Sequence, residues 1–435
     1  MEYLTIGLFC LCLMYCVVNQ ISTIIALALG YLLFLGYGLY KRCSLLSLVK
    51  ASLKSLLTIK NILITFVLIG SMTALWRASG TIASFVYYAG GFIQPSLFIL
   101  LTFLFNCIIS FITGTSLGTA STMGVICMSI GLTMDLSPLW LGGAILSGAY
   151  FGDRCSPVST SALLVSTVTK TDLYINIRYM IKTAVIPFIL TCLIYLFFGL
   201  RMNCSTYSTE ILNIFKQEYT INLICMIPAL MILVLALCKI DIKITLLVSI
   251  LISILLCHFI QNISYNDIFY IIIHGFTCQN LDLSSMINGG GILSMVNVGI
   301  IVGIASSYSG LFEVSQLLSS FKEKIYLLST KVPSYIIILI TALFTSMIAC
   351  SQTLSVMLTG ELCNEVTDHQ TLAIALENSC IVISPLIPWS IASASATTAI
   401  SASTGCLFYA FYLYLLPLLT IFILKGEKNG TDSTK

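Results

Sequence analysis

The chain has 435 residues, 58% of them hydrophobic and only 9% charged, with a formal net charge of +3. Soluble domains carry roughly 25% charged residues, so this composition excludes a soluble globular protein and indicates an integral membrane protein. The small positive balance sits in a few loops, which excludes a nucleic-acid partner and leaves the lipid bilayer as the obvious one.

Apolar segments of the length that a bilayer-spanning helix needs, roughly 20 residues, recur along the whole chain. In order they cover 4–18, 22–40, 61–77, 93–113, 119–132, 138–150, 180–200, 221–238, 243–260, 265–277, 290–306, 333–349, 371–383 and 405–424. Several are too short to cross alone and read as half-helices, so about 11–12 transmembrane helices are expected. Runs such as "LLVSILISILL" do not alternate polar and apolar as barrel strands do, so the fold class is an all-α integral membrane protein. The first segment lacks a basic n-region and a small-residue cleavage site, and reads as a membrane helix rather than a signal peptide. Basic residues cluster at Lys41, Arg42, Lys50, Lys54 and Lys60, at Lys170, Arg178 and Lys182, at Lys239 and Lys243, and at Lys322, Lys324 and Lys331. The positive-inside bias places these loops in the cytoplasm. The 17 cysteines are scattered singly, most of them in apolar runs, where thiols act as small hydrophobes. Neither a disulfide framework nor a structural metal site is expected, and no cofactor is.

Two halves show related landmarks. "SMTALWRASGTIASFVYY" (71–88) resembles "IVGIASSYSGLFEVSQLL" (301–318), "SFITGTSLGTAST" (110–122) matches "TSMIACSQTLS" (345–355) in place, and "GDRCSPVSTS" aligns with "CIVISPLIPWS". Three features in one order at similar spacing indicate a duplicated unit, the mark of many secondary transporters. The expected organisation is N-terminal helices and a basic loop (1–60), a first repeat (61–200), an extracellular linker (201–220), linking helices (221–289), a second repeat (290–424) and a polar tail (425–435).

Unwound backbone is tolerated in a membrane only where it is buried in protein or lines a watery cavity, so the broken segments are the candidate site. Helix breaks are expected at Gly114, Gly118, Pro157, Pro385 and Pro388. Candidate ion or substrate ligands are Thr115, Ser116, Thr119, Ser156, Ser159, Thr160, Ser351, Gln352, Asn378 and Ser384. For any one hydroxyl, close helix packing is the competing reading. Charges inside a membrane each cost about 2.5–3.5 kcal/mol or more, which singles out Asp153 and Glu377, either of which could hold a coupling cation or a proton. Arg154 would neutralise a carboxylate, contact an anionic ligand or snorkel to the cytoplasmic edge; Arg77 has the same choices. Trp76 and Trp389 read as interface anchors, and His258 and His274 as interfacial. Glu361, Glu365, Asp368 and His369 read as a solvated loop. The Asn203 and Asn262 sequons carry meaning only in a glycosylating host.

"GSMTALWRASGTIASFVYY", "FITGTSLGTASTMGV", "LSGAYFGDRCSPVS" and "LENSCIVISPLIPW" resemble the NhaC family of Na+/H+ antiporters over roughly residues 60–420. The resemblance implies two inverted repeats with re-entrant helical hairpins entering from opposite sides, and cation-coupled exchange. The sequence departs from the family at acidic positions: Thr160, Ser351 and Asn378 stand where the family usually has Asp. Asp153 and Glu377 remain. Hard cations accept neutral oxygen ligands, whereas hydroxyls and amides do not titrate near neutrality.

The resulting expectation is a secondary active transporter of the cell membrane, exchanging Na+ for H+ by alternating access. The alternative is a Na+- or H+-coupled carrier of a small organic solute, an amino acid or carboxylate, motivated by the replaced acids. A channel is disfavoured by the internal duplication. A membrane hydrolase is disfavoured because the three histidines form no catalytic motif, so the chain reads as a transporter and not an enzyme. A homodimer is one assembly the sequence leaves open.

Overall fold

A computed structural model describes residues 2–430 apart from 20, 90–93, 203–208, 239, 279, 281–286, 316, 318–324, 326 and 330. Lys239, Lys322, Lys324, the Asn203 sequon and the last five residues therefore lie outside the described residues, as does part of the 201–220 linker. Among the described residues there is no strand ladder, only an isolated bridge between Phe276 and Gly289. Seven helices are long and apolar enough to cross a membrane, or up to eight if one bent pair counts as a span. The larger number expected from sequence counted shorter apolar helices, such as Ser334–Ala349 and Phe411–Phe422, as spans.

The N-terminal hairpin is α1 (Glu2–Val18) and α2 (Thr23–Tyr40), followed by the amphipathic α3 (Leu45–Thr58) and by α4 (Lys60–Ala78). Next come α5 (Thr81–Ala89), α6 (Pro95–Thr113) and α7 (Ser116–Thr133). The helices α8 (Pro138–Cys155) and α9 (Thr160–Thr169) flank a break and lead into α10 (Leu173–Arg201). One side of α10 exposes Ile181, Val185, Ile189 and Leu193. Such an unbroken aliphatic face is suited to lipid tails rather than water. The chain continues through α11 (Thr209–Glu218), α12 (Ile227–Leu237), α13 (Ile242–Phe259) and α14 (Tyr265–His274) to α15 (Val296–Ser315). The last group is α16 (Ser334–Ala349), α17 (Gln352–Leu362), α18 (His369–Asn378), α19 (Ile391–Ala399) and α20 (Phe411–Gly430).

Two helical hairpins and two broken helices position the site. In the first hairpin α6 and α7 meet at Gly114 and Thr115, and Asn106 on one arm reaches Cys127 on the other. In the second, α16 and α17 meet at Cys350 and Ser351, and Thr345 bonds Ser355 at 3.1 Å and Thr359 at 2.6 Å across the arms. The two tips share one backbone shape. Gly114 and Cys350 have positive φ, +66° and +53°, and the residues after them are extended. Glycine takes that conformation freely, whereas a residue with a Cβ takes it at a cost.

The first hairpin is seated by close packing. Gly152 of α8 lies so near the Ser110–Phe111 backbone of α6 that a Cβ there would sit 2.1 Å from Ser110 C, and one on Gly148 would sit 2.6 Å from Phe103 O. Small residues four apart let two membrane helices approach backbone to backbone. That approach carries the Gly114 tip against Val158 and Ser159, in the break between α8 and α9. The second tip is tied to the second broken helix by Ile391 N–H donating to Cys350 O at 2.8 Å. There the chain bends by 57° between His369–Leu386 and Ile391–Ala399.

Several expectations change. No break occurs at Gly118. The hydroxyls of Ser121 and Thr122 donate back to carbonyls one turn earlier, and a π-helical turn, Ala120–Gly124, follows instead. Gly310, aligned with Gly80, does not end a helix: Gly80 sits at φ +74° just beyond α4, whereas Gly310 lies within α15 against the Ala51 carbonyl. Trp76 and Trp389 are not interface anchors. Both are buried, with the indole N–H of Trp76 on Ser249 at 2.9 Å and that of Trp389 on the Met347 carbonyl at 3.0 Å. A buried indole needs such a partner, and each Trp finds one inside the bundle. Arg154 does not snorkel, since its side chain is wholly buried.

Candidate functional site

Asp153, in the last turn of α8, is 3% exposed and is the point where the broken segments meet. Its Oδ2 accepts from Ser116 Oγ at 3.3 Å, from Ser161 Oγ at 3.2 Å and from Gln352 Nε2 at 3.4 Å. Its Oδ1 accepts from Ser161 Oγ at 3.3 Å and Ser159 Oγ at 3.4 Å. Ser116 belongs to the first hairpin tip, Gln352 to the second, and Ser159 and Ser161 to the far side of the break that follows Asp153. The contacts are long for hydrogen bonds to a carboxylate, which run about 2.5–2.9 Å when tight. The arrangement is therefore a loose oxygen-rich cup around one charge.

Local sequence explains each position. Thr115 caps α7 by accepting from Gly118 N–H at 3.1 Å, and its hydroxyl neighbour Thr119 donates to the Thr115 carbonyl at 2.9 Å. Ser159 caps α9, accepting from Ser161 and Ala162 N–H and donating to the Asp153 main-chain carbonyl. That last contact folds the break back onto Asp153. Ser156 is buried in the same turn, accepting from Val158 N–H at 3.3 Å, with Pro157 beside it. Ser351 precedes α17 in extended conformation and makes no side-chain cap. Gln352 also donates to the Ile381 carbonyl at 3.2 Å, joining the second hairpin to the second broken helix.

Asp153 opens onto a cavity of about 550 Å³ lined by Thr115, Ser116, Tyr150, Thr160, Ser161, Ser351, Gln352 and, from α15 and α19, Ser306, Ser309 and Ser395. The N-terminal residues of α7, α9, α17 and α19 all reach this chamber, so four positive helix ends line it. A second cavity of about 570 Å³ shares Ile62, Thr115, Leu117 and Thr160 with the first and reaches Asn61, Asp241 and Lys243. At that rim Lys243 Nζ donates to Asn61 Oδ1 at 2.9 Å. The two cavities are neighbours across those four shared residues, one holding Asp153 and the other Asn61, Asp241 and Lys243.

The structure thus gathers Thr115, Ser116, Asp153, Ser159, Thr160, Ser351 and Gln352, with Thr119 and Ser156 supporting them. Glu377, Asn378 and Ser384 lie elsewhere. Arg154 Nη2 donates to Thr183 at 2.8 Å and to Asn378, and Arg154 Nη1 to Tyr412 at 3.4 Å. Asn378 Nδ2 donates in turn to Thr420 at 3.1 Å. Glu377 is fully buried beside this group, and neither carboxylate oxygen has a hydrogen-bond partner. Ser384 bonds Ser346 at 3.1 Å, with Pro385 in the short turn that follows and Pro388 in the bend before α19. Sequence reasoning passed over Ser161, the residue that reaches both Asp153 oxygens. Its neighbour Thr160 drew attention as the altered acidic position, although Ser161 faces the carboxylate across the break. Tyr150 was also missed: it lies one turn before Asp153, and its hydroxyl donates to the Ala392 carbonyl at 2.9 Å.

The model of the Na+/H+ antiporter family matches residues 2–200 and 148–425. The Na+/H+ antiporter NhaC of Alkalihalophilus pseudofirmus is 28% identical over 93% of this chain and 90% of its own length. The protein of the same description from Bacillus subtilis is 26% identical over 83% of each chain. The malate-2H+/Na+-lactate antiporter of Bacillus subtilis is 26% identical over 74% of this chain and 71% of its own.

Proposed function

The chain belongs to the Na+/H+ antiporter family, and on that premise we propose that it exchanges Na+ for protons at the Asp153 chamber by alternating access. The carrying observation is that one buried carboxylate accepts hydrogen bonds from both hairpin tips and from the α8–α9 break. Na+ is a hard cation that takes oxygen ligands. On its arrival the serine hydroxyls turn their lone pairs toward it, and the Gln352 amide presents Oε1 after a half-turn. A proton on the carboxylate removes the charge that holds Na+, so the two cations compete. The hairpins are the moving parts of this proposal. They enter from opposite membrane faces as two inverted units, and each tip seals one side of the chamber in turn.

A coupled carrier of a small organic solute is the second reading. The malate and lactate relative and the size of the chamber favour it. Against it, the described residues lining the chamber include no Lys, Arg or His that would pair with a carboxylate. Purified protein in liposomes with an imposed Na+ gradient tests the antiporter reading. A Na+-dependent pH change that Asp153→Asn abolishes is expected; no pH change would sink it. Uptake of labelled carboxylates and amino acids under the same gradient separates the second reading from the first.

A further inference from the structure

Two apolar spans meet α3. Thr23–Tyr40 runs into it and Lys60–Ala78 leaves from it, so α3 lies along one face of the membrane rather than through it. Charge identifies that face. Arg42, Lys50, Lys54 and Lys60 are exposed on this segment, and no Asp or Glu occurs between Glu2 and Asp135. The positive-inside bias assigns such a segment to the cytoplasm. Lys243 at the start of α13 meets Asn61 at the start of α4 and puts a further basic end at the same level. Lys41, the remaining cation, is held by Glu2 at 3.1 Å.

Three stripes run along α3. The first is its seat: Leu48 and Ser52 are buried, and α15 comes so close that a Cβ on Gly310 would sit 2.4 Å from the Ala51 carbonyl oxygen. Next round the helix come Leu46, Leu53 and Leu57, which are 78%, 56% and 76% exposed. At roughly 100° per residue these three lie within about 40° of one another. Beyond them come Lys50 and Lys54. Singly exposed leucines are ordinary. Three in line, bordered by lysines on a helix lying along a membrane face, are the pattern of an interfacial helix. The leucines enter the acyl boundary and the lysines reach the headgroup layer. A segment with four exposed cations and no acid complements headgroups that carry net negative charge.

We propose that α3 docks on the anionic phospholipids of the cytoplasmic leaflet, and that this contact steadies a wall of the Asp153 chamber through α15. The link is direct. Ser306 Oγ on α15 donates to the Ser55 carbonyl of α3 at 2.9 Å, and Cys43 Sγ donates to the Val314 carbonyl at 3.7 Å. Ser306 and Ser309 line the chamber, as does Ile59, the residue just past α3. A lipid contact that moves α3 therefore moves chamber residues on two elements. The effect on transport rests on the antiporter reading of the chamber; the docking itself does not.

The test has a binding arm and a transport arm, both on the full-length protein. Purified protein in neutral detergent is titrated with fluorescent phosphatidylglycerol and, separately, with fluorescent phosphatidylcholine. Phosphatidylglycerol is expected to bind more tightly, with a preference that shrinks as inert salt is raised. Lys50→Gln combined with Lys54→Gln, checked for monodisperse elution, is expected to weaken phosphatidylglycerol binding roughly tenfold to thirtyfold. Lys50→Arg with Lys54→Arg keeps the charge and is expected to bind as the wild type does. Arg178→Gln with Lys182→Gln removes an exposed basic pair elsewhere and is expected to leave binding unchanged. Equal binding of the two lipids, or an equal loss in the Arg178 and Lys182 variant, overturns the docking. So does displacement of the lipid by inorganic phosphate alone, or a Lys50- and Lys54-dependent dimer with no lipid preference. In the transport arm, vesicles of phosphatidylcholine receive increasing phosphatidylglycerol. Na+-driven exchange is expected to rise with the anionic lipid in the wild type and to stay flat in the Lys50 and Lys54 glutamine variant. Exchange indifferent to the lipid, with binding intact, overturns the link to the chamber. No Na+-driven exchange in any lipid sinks the antiporter reading and leaves the binding arm to decide the docking.

Discussion

Ser116 and Gln352 stand at the tips of two different hairpins, yet both donate to the same oxygen, Asp153 Oδ2, at 3.3 and 3.4 Å. They also hold the same place in the tip. Each comes two residues after a left-handed residue, Gly114 or Cys350, and one after an extended residue. A single carboxylate therefore reports the position of both hairpins, as an alternating-access site needs.

Removing that charge is the most direct check. Asp153→Asn replaces a charged acceptor by a neutral one, and hydrogen bonds to charged groups contribute about 1.5–3 kcal/mol. Na+ affinity is expected to fall roughly tenfold to a hundredfold, measured as Na+ binding to the purified protein by isothermal titration calorimetry, while the Na+-driven pH change in vesicles is lost. Gln352→Ala removes one long contact and is expected to fall only a few-fold, on the order of 0.5–1.5 kcal/mol.

The hairpin tips respond oppositely to glycine. Gly114→Ala puts a Cβ on a residue at φ +66°, 2.7 Å from the Val158 carbonyl carbon. It is expected to lower the unfolding midpoint in detergent and to suppress transport. Cys350→Gly relieves a left-handed residue of its Cβ, worth roughly 1 kcal/mol, so its midpoint is expected to rise or hold. A fall in Cys350→Gly would show that the thiol's packing outweighs the backbone term.

Ser351 lines the Asp153 chamber and makes no cap hydrogen bond. Ser351→Asp adds a second negative charge at the positive end of α17, where an anion is favoured. Tighter Na+ binding is expected, read as a lower apparent KM for Na+ in vesicles; an unchanged or higher KM would count against a ligand role for this position.

At the rim of the cavity that neighbours the Asp153 chamber, Lys243 places a positive charge beside Asn61. Reversing it with Lys243→Glu is expected to lower the apparent KM for Na+ on that side at low ionic strength and to leave kcat unchanged. The effect is expected to fade as inert salt is raised, because exposed charges are screened within about 10 Å at 0.1 M. A kcat change instead would place Lys243 in the conformational cycle.

Asp368 lies in the polar connection before α18 and caps that helix, accepting from Thr371 N–H at 2.9 Å. Partial burial disfavours its charge, but the hydrogen bonds from Thr371 outweigh that and hold the carboxyl below its ordinary range. Its contribution is therefore present at neutral pH and lost as the pH falls through that lowered value. Asp368→Ala is expected to cost about 1 kcal/mol at neutral pH and less in acid, read as the difference in thermal midpoint between the two conditions.

The apolar segments read from the sequence coincide with most of the long helices, because a bilayer demands long runs without charge and such runs are visible one residue at a time. The helices missed were α11, a polar helix inside the expected 201–220 linker, and α3, α5, α9, α17 and α19. α3 is amphipathic, with lysines on one side, and α5, α9, α17 and α19 are short and flank breaks. The last three are rich in serine, threonine and small residues, and are held by caps and by neighbouring helices rather than by hydropathy. Asp153 was legible because a lone acid in an apolar helix is costly anywhere. Ser161 was not, since a hydroxyl has no such signature until the break folds it back over the carboxylate.

By itself, then, the sequence determined the class of the protein, the place of its helix breaks near Gly114 and Pro157, and Asp153 as its central charge. Each of these follows from composition and local backbone chemistry. Only the tertiary structure decided that Ser116 and Gln352 converge on one oxygen, that Glu377 stands apart from the chamber beside Arg154, and that Trp76 and Trp389 face inward. Those are distances between segments far apart in the chain. They are set by the close approach of α6 to α8 through Gly148 and Gly152, and by the tie of Cys350 to Ile391.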